Sequence, residues 1–117
     1  MQAQSTRLSR QTRELLQDPA NEVFLSAASS WEIAIKYALG KLPLPVSPME
    51  YVLSRMETSG TAPLPVQHSH ALQAGSLPRH HADPFDRLLI AQAQLENLHI
   101  LTADGHFGAY EVKVLSP

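Results

Sequence analysis

The period of the apolar positions changes several times along this chain, and each change marks a predicted element. From about Ser5 to Gln17 apolar residues are sparse among polar ones, which predicts a short polar helix closed by Asp18-Pro19. The run VFLSA, Val23 to Ala27, is β-branched and aromatic with turn residues ahead of it, the pattern of a buried strand. A helix is expected at once from Ser29 or Ser30 to Leu39, with Gly40 as its stop. LPLPVSP then reads as an extended connector, because its prolines forbid helix and discourage a central strand. Pro48 to about Thr58 predicts a second helix ending at Gly60, and TAPLPV a short strand near an edge.

Downstream, Gln67 to Gly75 predicts a small helix, Asp83 to Asn97 a long one, and HILTA, His99 to Ala103, another buried strand. A helical turn around His106 and a last strand, Val112 to Leu115, close the chain. Strands that alternate with helices predict an α/β layer fold with a mostly parallel sheet. In such a sheet each helix runs back antiparallel to its strand. Helix starts therefore collect at the carboxyl edge, where ligands bind.

Composition narrows this picture. The 117 residues suffice for one ordinary domain, and 44% apolar with 17% charged residues describe a soluble globular protein. No apolar run approaches the roughly 20 residues of a bilayer-spanning helix, and the polar start lacks a signal-peptide core, so a cytoplasmic protein is expected. The absence of cysteine excludes disulfides, thiolate zinc sites and thiol catalysis. A net charge of −2 argues against a broad phosphate-binding face. Arg7, Arg10 and Arg13, spaced by three, leave either a solvated helix face or a local basic stripe.

The candidate chemistry lies in acids at helix starts. Asp83 and Asp86 open the long helix, Glu32 is expected in the first turn of the helix after VFLSA, and Asp104 follows HILTA. If the fold is right, three segments bring carboxylates to one edge of the sheet. Gathered like charges repel one another, and desolvation adds to the cost, so the cluster is tolerable only with a cation among them. Oxygen ligands without cysteine or clustered histidine select Mg²⁺ or Mn²⁺, which activate water and stabilise phosphoryl displacement. The reaction implied is phosphodiester hydrolysis.

Each acid also has a structural reading. Ser29-x-x-Glu32 matches a capping box and Glu32 to Lys36 an i,i+4 pair, although Ile35 and Leu39 put Glu32 on a partly buried stripe. Asp83 suits an N-cap followed by Pro84 at the first helical position, and Asp104 could cap the turn that follows it. Asp86 suits the positive end of the dipole, yet Leu89, Ile90 and Ala93 place it on an apolar face that a solvated residue does not need. Trp31 and Phe85, each beside an acid, are expected in the core, with Phe85 under the pocket. His80-His81-x-Asp83 offers a transition-metal alternative, but adjacent histidines point in different directions. His68 and His70 read as a turn and helix start, and His106 as a weak donor near the acids.

SAASSWEIAIKYALGKLPLP, HHADPFDRLLIAQAQ and LHILTADGHF, in that order and at these separations, resemble a PIN domain of the VapC toxin type, and the resemblance covers nearly the whole chain. It implies a Mg²⁺- or Mn²⁺-dependent ribonuclease, the toxin of a toxin–antitoxin pair. Such proteins are often dimeric and are silenced by a small antitoxin. Glu32 corresponds to the acid of the W-E-[IV] segment, Asp86 to the acid before L-L-I-A, and Asp104 to the acid after the strand ending in T-A. Asp83 accompanies them as a further metal contact, and Thr102 matches a small hydroxyl residue common there.

The family pattern also opens with a strand and a motif close to L-L-D-T-H, whose Asp is a principal ligand. This sequence starts downstream of that motif, and MQAQST holds neither an acid nor an apolar run. The expectation is a PIN-like three-layer domain, N-terminally truncated, whose neighbouring strands lack a partner. A gene start set too far downstream, a shortened chain, or a remnant completed by another chain would each explain it. The 117-residue form is then expected to cleave RNA poorly. Two other readings stand beside this one: a catalytically inactive module that binds an antitoxin or sister subunit, and an unrelated α/β domain whose acids are all caps.

Overall fold

A computed structural model describes residues 9–79, 82–101, 107, 108, 110 and 112–115. In chain order its elements are α1 (Arg10–Gln17), β1 (Phe24–Ser26), α2 (Ala27–Ala38), α3 (Pro48–Ser59), β2 (Ala62–Leu64), α4 (His68–Ser76), α5 (Pro84–Glu96), β3 (His99–Leu101) and β4 (Lys113–Leu115). They fall into two compact units: residues 22–67, and the described residues before and after that stretch.

In the 22–67 unit, β1 and β2 pair in parallel, with Phe24 opposite Ala62, Leu25 opposite Pro63 and Ser26 opposite Leu64. A parallel pair needs a long crossover, and here α2 and α3 provide it. The first helix starts earlier than the Ser29 or Ser30 its sequence suggests. Ser26 ends β1 in an extended conformation and its Oγ accepts the Ala28 N–H at 3.1 Å, so the strand residue is itself the N-cap. Ala27 and Ala28, the best helix formers, then join the helix at no cost. The Ser29 capping box is therefore not formed, and Glu32 stands in the second turn of α2.

The start and end of α3 lie where the sequence puts them. Ser47 Oγ accepts the Glu50 N–H at 3.2 Å, Pro48 takes the first turn, and Gly60 closes the helix in the left-handed region at φ +70°. Losing the cap oxygen leaves that N–H to water. Ser47→Ala is therefore expected to lower unfolding free energy by about 1 kcal/mol, read by urea denaturation; an unchanged midpoint would show that the cap carries no stability.

The other unit is built on a helical hairpin. Side chains from the start of α4 meet the end of α5, as in His70 Nε2 to Glu96 Oε2 at 2.8 Å, while carbonyls at the end of α4 meet Arg87 near the start of α5. The two helices therefore run antiparallel. Ile90, fully buried, centres a cluster with Leu77, Phe107 and Tyr110, against which Leu89, Ile100 and Val112 pack. Strands β3 and β4 pair in parallel, with Ile100 opposite Val114. Both described strand pairs are thus parallel, as expected of an α/β PIN-like fold.

Ser9 caps α1 through its Oγ, which accepts the Thr12 N–H. Arg10 and Arg13 are exposed on this helix, and Arg10 pairs with Glu14 at 3.3 Å, which matches the solvated-face reading. Arg7 lies outside the described residues, as do Thr102, Asp104, His106, His80 and His81.

Candidate functional site

The best-defined acids are the two that open α5. Asp83 has the extended backbone of an N-cap, and its Oδ1 accepts the N–H groups of Phe85 at 2.8 Å and Asp86 at 3.3 Å. Pro84, which has no N–H to lose, follows it. Its carbonyl accepts the Arg87 N–H at 3.0 Å and so begins the helical ladder. The sequence expectation for Asp83 as the helix cap therefore holds.

Asp86 is half-buried, and it lies on the face of α5 that carries Leu89, Ile90 and Ala93. Because Asp83 already meets the capping demand, the helix does not need a second carboxylate for that purpose. The residue between the pair, Phe85, is half-buried.

Glu32 belongs to the 22–67 unit. Its side chain is 26% exposed, and its Oε2 receives Lys36 Nζ at 3.2 Å, the i,i+4 pair that the spacing predicts. Of the stripe invoked for it, Ile35 is half-buried but Leu39 is exposed, because Leu39 is the C-cap and no longer turns with the helix. Trp31 corrects a second expectation. It is 61% exposed and forms no part of the buried core.

Of the four candidate acids, only Asp83 and Asp86 stand together in one described unit, and Asp104 lies outside the described residues. Among the described residues no group of three His, Asp or Glu side chains gathers closely enough to hold a metal ion. The available donors are carboxylate oxygens. Their chemistry suits a hard divalent ion, with one Asp83 oxygen committed to backbone N–H groups.

Arg87, which sequence reasoning passed over, and His70, which it read only as part of a helix start, hold this part of the chain together. Arg87 sends its guanidinium back to α4, donating to the carbonyls of Ala74, Leu77 and Pro78 at 2.8, 2.9 and 3.1 Å. A cation near a helix N-terminus opposes the dipole, and that mismatch was the signal available. His70 is 1% exposed and, besides Glu96, has its Nδ1 3.4 Å from Gln92 Nε2. Glu96 is a carboxylate, so the imidazole Nε2 donates. The signal here was polar Gln92 inside the run LLIAQA, with Glu96 one turn on.

Among the described residues no helix is long and apolar enough to cross a membrane. No solved structure matches the chain significantly. Ribonuclease VapC16 of Mycobacterium tuberculosis (strain ATCC 25618 / H37Rv) is 55% identical over 60 residues, a stretch that is 51% of this chain and 43% of the relative's length. A model of the PIN domain matches residues 5–113, which takes in all four candidate acids, and the chain belongs to the PIN domain family.

Proposed function

We propose that the chain acts as a metal-dependent endoribonuclease toxin, cutting RNA by phosphodiester hydrolysis. The observation that carries this reading is Asp86: a half-buried carboxylate on the apolar side of α5, beside an Asp83 that already does the capping. Membership of the PIN family and likeness to a protein named as a ribonuclease give that carboxylate its chemistry.

The family resemblance assigns the metal contacts to Glu32, Asp86 and Asp104, with Asp83 assisting. Mg²⁺ or Mn²⁺, when bound, supplies a water of lowered pKa and neutralises charge on the phosphate. Asp83 and Asp86 contribute negative charge at the start of α5, with Asp83 held there by its bonds to two backbone N–H groups. Lys36 pairs with the Glu32 carboxylate from one turn further along α2. Partners follow from the same reading: an RNA substrate, which puts the reaction in the cytoplasm, and a small antitoxin. A homodimer is part of it too, with exposed Met49 and Leu53, one turn apart on α3, as contact surface.

RNA incubated with the protein is expected to be cut only when Mg²⁺ or Mn²⁺ is present, and cutting should stop on chelation and resume with added Mn²⁺. Glu32→Gln and Asp104→Asn are each expected to slow it by roughly 10- to 100-fold or more. Cleavage that ignores chelation would sink the reading.

A further inference from the structure

Arg87 is the fourth residue of α5, an unfavourable place for a cation. Its side chain reaches the end of the preceding helix, where the carbonyls of Ala74, Leu77 and Pro78 accept from Nη1 and Nη2. The last turn of α4 contains no basic residue of its own. A helix end leaves carbonyls unpaired and carries negative partial charge, so the guanidinium of α5 supplies what the sequence of α4 lacks. The backbone N–H of the same residue donates to the Asp83 carbonyl. One residue thus grips both the end of α4 and the cap of α5.

We propose that Arg87 is a positioning residue for Asp86, holding the first turn of α5 against the end of α4 so that the carboxylate keeps a fixed place. Its functional consequence rests on the metal-site reading above. A planar fork with several donors can serve three carbonyls at once, whereas an ammonium is a point donor on a flexible stem. The sign of the effect separates position from charge. A guanidinium next to a divalent ion repels it, so if Arg87 acted only through its charge, removing it would tighten ion binding. If it acts by holding the turn, removing it weakens binding.

The test compares wild type, Arg87→Met, Arg87→Lys and Asp86→Asn by amide hydrogen exchange and by Mn²⁺ binding, with free Mn²⁺ read by electron paramagnetic resonance. In both Arg87 variants, exchange at Phe85, Asp86 and Arg87 is expected to rise about tenfold or more, the scale of losing charged hydrogen bonds, while Ala91 to Ala93 stay unchanged. Mn²⁺ affinity should fall about 10- to 100-fold in both. Unchanged exchange at the start of α5 would overturn the proposal. So would an equal rise at Ala91 to Ala93, which marks general destabilisation, or tighter Mn²⁺ binding by Arg87→Met. Wild type that binds no Mn²⁺, or Asp86→Asn that binds it as well as wild type, would instead overturn the metal reading, and the exchange data would still decide the clamp.

Discussion

Asp86→Asn is expected to abolish metal-dependent RNA cleavage and to weaken Mn²⁺ binding by more than the roughly 10- to 100-fold that substitutions outside the ligand set cost. Stability should barely change, and that contrast makes the variant informative. The helix start is capped by Asp83, whose Oδ1 holds the N–H groups of Phe85 and Asp86 whatever the side chain at position 86. Asparagine keeps the shape, loses the charge and turns one acceptor oxygen into an NH2 donor. The lost attraction to the helix dipole is worth about 0.3–1 kcal/mol, and it is offset by relief from the neighbouring Asp83 carboxylate. Thermal unfolding of the variant should therefore stay within a few degrees of wild type, by the usual relation of about 2–8 °C per kcal/mol. Full cleavage by the variant would remove Asp86 from the catalytic set. A collapse in stability would make it a structural acid instead.

Ile90→Ala is expected to have the largest effect on stability, about 2–5 kcal/mol. Ile90 is 0% exposed and sits among Leu77, Phe107 and Tyr110, so the side chains around the vacated space belong to separate segments of the unit and cannot all close on it. Against a total of about 5–15 kcal/mol for an ordinary domain, this is a substantial fraction. The conservative Ile90→Val should cost only about 0.5–1.5 kcal/mol. Urea denaturation of the pair would read both. Equal costs for the two variants would show that the cluster relaxes around the site and that Ile90 is no anchor. The site is linked to this core, because Ile90 lies one turn after Asp86 on the same face of α5 and fixes how that face sits.

How far local chemistry reached can be judged at the helix ends. Ser47, Gly60, Asp83 and Asn97 stand where capping rules put them, because each is the strongest cap within its neighbourhood and competes with no rival. At α2 the sequence put the start at Ser29 or Ser30 and kept Ser26 within the strand run VFLSA. The choice fell to Ser26, which is buried at the end of a paired strand and had to satisfy its hydroxyl there. That shift of three residues moved Glu32 out of the first turn.

The order of helices and strands, the caps of α3 and α5, the i,i+4 pair of Glu32 and Lys36, and the apolar face behind Asp86 were written in the sequence, because each depends on residues within about two turns of one another. The parallel pairing of β1 with β2 and of β3 with β4, the buried His70 with Gln92 and Glu96, and the reach of Arg87 to the carbonyls of α4 were decided only by tertiary structure. These join groups far apart along the chain, whose meeting depends on how helices and strands pack rather than on any local preference.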